Sequence, residues 1–456
     1  MKRPEIIIIG AGLTGLSLGY FLKNSGKNIM ILEKGAKPGG VINTLSENGF
    51  VYEKGPNTGV LSTPELAMLF EELKGRCMLE IANPSAKKRY ILKNSVWEPL
   101  PSGPVSAINT PLFSFKDKLR ILGEPFRRKG TDPDESVADL VVRRLGRSYL
   151  DYAVNPFISG VYAGDPEKLI TRYALPKLYA LEQNYGSFIG GSLAKGRIKK
   201  TETELKATRE VFSVRGGLSN LIKSLCDEIG YENIQTGCRK VSIIPDTEGY
   251  KVNIETSSSD IKIIHAPKVV TTSGAYALPS LLPFLQPEEL VNITELQYAG
   301  VVQVSAGYSS WTGSKLDAFG GLVPAKEKRK ILGILFPSAI FKGRAPENGA
   351  LLSVFMGGIN NMEALEKDDS EITDIVLNEI GKTLNNKTKP DLIKIHRYLH
   401  AIPQYGRSTG ARLETISSIE KKYPGLILAG NIRDGIGMAD RVKQAFAISR
   451  LLVKNR

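Results

Sequence analysis

The sequence predicts an α/β protein, and three observations carry that prediction. A strand, a glycine turn, a helix and a second strand open the chain between Ile6 and Glu33. A helical stretch with basic faces runs from about residue 83 to 200, and strand signals return from about 201 and dominate residues 300 to 405. The opening unit is the most specific. Ile6, Ile7, Ile8 and Ile9 run into Gly10-Ala11-Gly12-Leu13-Thr14-Gly15, and Asn28-Ile29-Met30-Ile31-Leu32 delivers Glu33 roughly 20 residues on, as a dinucleotide fingerprint requires. Gly10 permits the tight turn, Gly12 lets the backbone approach a pyrophosphate, and Gly15 with Gly19 lets the helix pack on the strand. Free N–H groups at the helix start then face the phosphates. Glu33 would accept hydrogen bonds from ribose hydroxyls and repel a 2′-phosphate, so FAD or NAD is expected rather than NADP. The 17 uncharged residues Ile6 to Leu22, preceded by Lys2 and Arg3, also invite reading as a signal anchor. Four glycines and a length short of about 20 residues argue against it.

The second block, Lys37-Pro38-Gly39-Gly40 and then Gly49 through Gly55-Pro56-Asn57, places another glycine pair, a strand and another glycine turn beyond the ribose acid. That elaboration favours a flavoprotein, hence FAD, over a plain NAD dehydrogenase. In the helical stretch, Ser114 to Asp117 reads as a capping box. Phe115, Leu119, Leu122 and Phe126 follow at helical spacing, interleaved with Lys116, Lys118, Arg120, Arg127, Arg128 and Lys129. Such a stripe reads as core or as a membrane-surface contact. Val137, Leu140, Val141 and Leu145 form a second stripe ending at Gly146. Lys195 to Glu210 lacks apolar periodicity and reads as a mobile connection. Strands are expected at Val211–Val214, Val241–Ile244, Val252–Ile254 and Val269–Thr272, with a helix through Leu218, Leu221 and Leu225. Further strands are expected at Val301–Val304, Ile331–Phe336 and Leu351–Phe355. A last strand, Leu426–Ala429, opens onto Gly430-Asn431 and Gly435-Ile436-Gly437 before a helix near Ala439. A fold that opens and closes with such units brings both to one cofactor. The expected architecture is a Rossmann-like FAD-binding domain (1–82, 201–290 and 407–456), a β-rich substrate domain (291–406) and a helical insertion (83–200).

The chain has 456 residues, a net charge of +14, three cysteines and three histidines. Isolated Cys77, Cys226 and Cys238 fit a reducing compartment and exclude a zinc cluster, and no leader-like segment precedes the first strand, which implies a cytoplasmic protein. His396 and His400 are four apart, but the residues around them alternate like a strand and no third ligand is apparent, so no metal is expected. The positive charge invites an anionic partner, or is a solvated surface.

These features resemble the protoporphyrinogen oxidases within the FAD-dependent amine oxidase superfamily. Residues 1–57 and 426–446 carry the superfamily likeness. The narrower one rests on Lys88-Arg89-Tyr90 with Leu100-Pro101, Asn155-Pro156-Phe157-Ile158-Ser159-Gly160 running to Gly164-Asp165-Pro166, Gly320-Gly321-Leu322-Val323-Pro324, and Ala401-Ile402-Pro403-Gln404-Tyr405. The resemblance implies non-covalent FAD, with contacts from Gly10, Ala11, Gly12, Leu13, Thr14, Gly15, Glu33, Lys34, Gly40, Gly55, Pro56, Asn57, Thr58, Val241, Gly430, Ile436, Gly437 and Met438. It implies Arg89 on a substrate propionate, Gly164 in the substrate pocket, and Leu322, Leu335 and Phe355 clamping the pyrrole rings. Asn57 is the candidate catalytic polar group. The implied reaction takes protoporphyrinogen to protoporphyrin, with oxygen reduced to hydrogen peroxide and a quinone left open as acceptor. No nucleic-acid partner is expected. Peripheral attachment to an anionic membrane at the inner face of the cell membrane and a homodimer stay open, as do a coproporphyrinogen III oxidase, another amine-oxidase-type flavoenzyme and a non-enzymatic flavin-containing tetrapyrrole carrier. Two departures stand out: Ser408-Thr409-Gly410 replaces the usual Gly-His-aromatic, and Val41 stands where amine oxidases carry arginine.

Overall fold

The computed structural model describes residues 3–199, 201–256 and 260–454. A wholly parallel sheet takes strands from far apart in the chain, in the order Ile234–Gln235, Ile29–Leu32, Ile6–Ile9, Lys268–Thr271 and Leu426–Leu428. The four isoleucines form its middle because a parallel strand is covered on both faces and so needs apolar side chains at every position. Ile6 and Ile8 pack into a core made with the helices Leu13–Asn24, Ser219–Ile229 and Met438–Lys454. Ile7 and Ile9 face the opposite core, roofed by a three-stranded antiparallel sheet of Cys238–Asp246, Gly249–Thr256 and Ile261–Ala266. The stretch from Ile6 to Leu22 is thus strand, turn and helix, and no helix among the described residues is long and apolar enough to cross a membrane.

A seven-stranded mixed sheet forms the second layer system, in the order Leu392–Pro403, Tyr298–Tyr308, Ala350–Gly357, Gly333–Leu335, Gly320–Leu322, Tyr90–Lys93 and Val96–Pro99. One face packs on the helix Asp369–Leu384 through Val304, Ile334, Val354 and Ile380. The other looks towards the carboxyl ends of the parallel strands.

Two expectations change. Residues 83–200 are not helical throughout: Tyr90–Lys93 and Val96–Pro99 form a hairpin that joins the large sheet, Tyr90 and Ile91 pairing in parallel with Gly321 and Leu322. Asn94 and Ser95 between them have φ of 51° and 67°, the paired left-handed residues of a type I′ turn. Lys195 to Glu210, read as a mobile connection, contains the short helix Glu202–Leu205, started by a capping box of Thr201 and Glu204.

The two stripes of the insertion have opposite fates. Val137, Leu140 and Val141 are buried, whereas Phe115, Leu119, Leu122 and Phe126 are exposed by 76%, 51%, 69% and 90%, so the first stripe is not core. The helix Phe115–Leu122 begins with the expected box: Ser114 Oγ accepts from the Asp117 N–H, and the Ser114 N–H donates to Asp117 Oδ2. A buried ion pair ties the insertion together. Arg144 meets Glu124 with both side chains fully buried, and the carboxylate also accepts from Ser187 Oγ and the Phe188 and Ile189 N–H groups.

Candidate flavin and substrate site

The fingerprint loop, Glu33, Thr272 and Gly430 all lie at the carboxyl ends of the parallel strands, where open α/β sheets bind ligands. Gly10 sits at φ 103°, and a Cβ there would meet Thr272 Oγ1 at 2.6 Å, so only glycine makes this turn. A Cβ at Gly12 meets nothing within 4 Å, whereas one on Gly40 would lie 3.3 Å from Gly12 Cα. The Gly40 backbone therefore packs close against Gly12, while the space beside Gly12 at the start of the helix Leu13–Asn24 stays open, as the approach of a pyrophosphate needs. Glu33 accepts from the Ala11 and Gly35 N–H groups, each at 2.7 Å. Both carboxylate oxygens are thereby fixed and each keeps a lone pair for a ribose hydroxyl. Lys34 beside it is exposed. Ala11, Leu13 and Thr14 have buried side chains. Val241 likewise turns its side chain into the core, and its strand, an edge strand, starts beside the ribose acid where the Cys238 N–H donates to Glu33 O at 2.9 Å.

The Gly55–Thr58 turn bridges the two sheets. Gly55 has φ 122°, and a Cβ there would lie 2.0 Å from Val41 O. The Gly55 N–H donates to Gln303 Oε1 at 2.9 Å, while Gln303 Nε2 donates to Glu53 O at 3.0 Å and Ser353 Oγ at 3.2 Å. Buried Asn57 completes the network, Nδ2 donating to Ser353 Oγ at 3.3 Å and to Gly55 O at 3.4 Å. With its amide N–H groups engaged, Asn57 keeps Oδ1 as an acceptor. Behind the turn, burial pushes the Glu53 carboxyl up, opposed by the Leu218 N–H, the Thr44 hydroxyl and Arg344. Gln303 and Ser353 carried no expectation. Their signal was a polar residue inside a continuous apolar strand, which once buried must find a partner.

Leu322, Gly333 and Phe355 lie directly across from one another on three adjacent strands, and Leu335 pairs with Gly320 and Ser353 in the next row. All three candidate clamp residues therefore share the face that carries Ser353. Each is half-buried among neighbours that are fully buried. Arg89 precedes Ile91 by two residues on a strand whose Ile91 pairs with Leu322, so it points to the same face. Lys88 points the other way, bonded to Asp317 at 2.9 Å. Arg89 is exposed, forms no ion pair among the described residues, and lies with its guanidinium 5.5 Å from the Phe319 ring centre. The helix Asn155–Tyr162 roofs this face: a Cβ on Gly160 would meet Leu322 Cδ2 at 2.4 Å. Gly164 is buried, and its Cβ would meet Gln404 Oε1 at 2.6 Å, so it shapes the wall by close packing rather than by presenting a contact.

Ser408-Thr409-Gly410 starts the helix Thr409–Lys422 and supplies no aromatic, while Val41 is exposed. His396 and His400 share the strand Leu392–Pro403, where four residues span about 13 Å, too far to share one ion.

A flavin containing amine oxidoreductase family profile matches residues 13–440. The chain belongs to that family. This flavoprotein is an FAD-dependent oxidoreductase, and the open space beside Gly12 with Glu33 fits that cofactor. Protoporphyrinogen oxidase 1 of Arabidopsis thaliana chloroplasts is 30% identical over 97% of this chain and 86% of its own length. The mitochondrial protoporphyrinogen oxidase of Nicotiana tabacum is 29% identical over 99% of this chain and 95% of its own. Coproporphyrinogen III oxidase of Bacillus subtilis is 23% identical over 98% and 97%. Among solved structures, cyclohexylamine oxidase from Brevibacterium oxydans shares the fold at a TM-score of 0.69 and 15% identity, covering 99% of both chains. A protein from Exiguobacterium sp. 255-15, provisionally assigned as a protoporphyrinogen oxidase, matches at 0.82 and 22% over the whole of both.

Proposed function

We propose that this flavoprotein oxidises protoporphyrinogen IX to protoporphyrin IX, in three steps that each remove two electrons. Bound FAD supplies the two-electron acceptor, and oxygen, reduced to hydrogen peroxide, renews it. The observation that carries the reading is the row Leu322, Gly333, Phe355. Two apolar side chains stand two strands apart, about 9–10 Å at the usual spacing, with a glycine between them. The glycine keeps this row low, so that Leu322, Phe355 and, in the next row, Leu335 make an apolar wall against which a flat ring can lie.

Each step takes a hydride equivalent from a bridging carbon and releases a proton from a pyrrole N–H to solvent, the two together balancing the hydrogens of one hydrogen peroxide. Asn57, its Nδ2 held by Ser353, offers Oδ1 as the acceptor that holds the ring by that N–H. Arg89, on the same face, gives a carboxylate a planar two-donor partner. Lys88 is committed to Asp317, which leaves this wall poor in cations and favours a dicarboxylate over a tetracarboxylate. The aromatic product is strongly favoured, so positioning and exclusion of water are what the residues must supply.

The test is porphyrin fluorescence with the purified holoprotein, offered protoporphyrinogen IX, coproporphyrinogen III and a primary amine in parallel. The reading requires the first to be oxidised best, with one peroxide formed per two electrons. Faster turnover of the tetracarboxylate makes it a coproporphyrinogen oxidase, porphyrin without peroxide points to a quinone, and amine turnover alone rejects the porphyrinogen. The exposed Phe115-to-Phe126 stripe with its flanking lysines and arginines is assigned to reversible docking on anionic lipid, which would place the enzyme where an apolar porphyrinogen partitions.

A further inference from the structure

The segment Gly430–Gly437 leaves the strand Leu426–Leu428 and enters the helix Met438–Lys454, carrying cofactor positions at both of its ends. Five of its carbonyls are held by side chains. Gln444 Nε2 donates to Gly430 O at 3.3 Å, and the Tyr405 hydroxyl sits 3.0 Å from Asn431 O and 2.9 Å from Gly435 O. Arg412 Nε donates to Ile432 O at 3.0 Å, and Arg441 Nη2 to Arg433 O at 2.9 Å and Gly435 O at 2.8 Å. Gln444 Oε1 accepts from both the Gly430 N–H and Arg441 Nη1, closing the cage. A trans peptide points its C=O and the following N–H in opposite directions. Drawing Gly435 O inwards therefore turns the Ile436 N–H outwards, next to Gly437 and Met438.

Both arginines are more than nine-tenths buried, and neither forms an ion pair among the described residues. Arg412 Nη1 and Arg441 Nε have no hydrogen-bond partner among the described residues. Burial without a carboxylate is costly for a cation unless its charge serves something. Here two such cations stand behind the amino-terminal end of a helix, where the backbone already favours an anion.

We propose that Arg441, with Arg412 behind it, is a cofactor-positioning residue. It folds the 430–437 loop into the shape that receives the dinucleotide, and its charge, which feels the nearby Asp434 and Asp440 carboxylates but makes an ion-pair contact with neither, favours the anionic cofactor. It acts through the loop carbonyls and touches no reacting atom.

The full chain, stripped of FAD, is titrated with FAD by flavin fluorescence, as wild type, Arg441→Met and Arg441→Lys, at low and high salt. Arg441→Met should bind about 30-fold more weakly, the loss expected for charge-assisted hydrogen bonds without replacement. It should keep the melting temperature of the flavin-free protein within a few degrees and weaken less with salt than wild type. Arg441→Lys should restore the salt dependence but only part of the affinity. Wild-type affinity in Arg441→Met overturns the proposal, as does a lower flavin-free melting temperature with an unchanged salt dependence, the mark of a purely structural role. If Arg441→Met does not fold, Arg441→Lys decides alone: it keeps the charge but cannot span both carbonyls, so wild-type affinity there is also fatal.

Discussion

Arg89 and Ser353 give the sharpest tests at the scale of single residues. Arg89 is exposed in the free protein and would be covered only by substrate, and a charge-assisted hydrogen bond of that kind is worth about 2–3 kcal/mol. Arg89→Ala should therefore lower kcat/KM at least about 30-fold, mostly through KM, with FAD content unchanged, and Arg89→Lys should recover part of the loss. Unchanged steady-state kinetics in Arg89→Ala would remove the propionate contact. Ser353→Ala takes away the acceptor that orients Asn57, a hydrogen bond worth about 1 kcal/mol, so turnover should fall about fivefold while KM moves little. Comparable loss from Ser353→Ala and from an exposed control serine would show that the amide is not held there. The motif residues were legible because their chemistry is local: a glycine turn and an acid at fixed spacing declare themselves. Gln303, Ser353, Tyr405, Arg412 and Arg441 were not: the first four act on segments 20 to 296 residues away that only the fold brings near, and Arg441 acts 6 and 8 residues back on carbonyls that only the folded loop turns towards it.

Among the elements, the helix Phe115–Leu122 and the pair Glu124–Arg144 do separate work in one insertion. Replacing Phe115, Leu122 and Phe126 by serine should abolish sedimentation with anionic vesicles at low salt and leave activity on detergent-dispersed substrate intact. Persistent sedimentation would assign the stripe another partner. Glu124 is held below the usual carboxylate range: burial alone would raise it, but the Phe188 N–H, the Ser187 hydroxyl, the Ile189 N–H and Arg144 outweigh that effect. A depressed folded-state pKa means that its stabilisation is present above the unfolded carboxylate value and lost as pH falls through the folded one. The insertion should therefore open to protease in acid before the parallel sheet melts. Glu124→Ala leaves buried Arg144 with Glu182, 3.3 Å away, as its remaining carboxylate but strands the Phe188 and Ile189 N–H groups, and should cost about 1–3 kcal/mol at neutral pH. Helical periodicity identified both apolar stripes but could not say which was buried, because that depends on what the rest of the chain lays over each. The Tyr90–Pro99 hairpin was missed for a different reason: its turn is Asn-Ser rather than Asn-Gly, so the strongest short-range signal was weak.

For the molecule as a whole, FAD is expected to act as a structural clamp as well as an oxidant. Heat or acid should release it as a free yellow ligand, since no cysteine or histidine lies in an attachment context, and flavin retained on precipitated chain would contradict this. At a free concentration 100 times its dissociation constant, a ligand bound only by the folded state adds about 2.7 kcal/mol, so the holoprotein should melt several degrees above the stripped one. The parallel sheet that makes the site also fixes when the site can exist. Its strands come from residues near 6, 29, 234, 268 and 426, so during synthesis the early strands must wait for partners hundreds of residues downstream. Such non-local pairing is slow, and a ribosome-bound chain would expose an unfinished, strongly apolar isoleucine strand until translation passes Leu428. Flavin capture is therefore a late event in the life of each molecule. Chaperone demand should track the rate of elongation through the C-terminal codons rather than the supply of FAD.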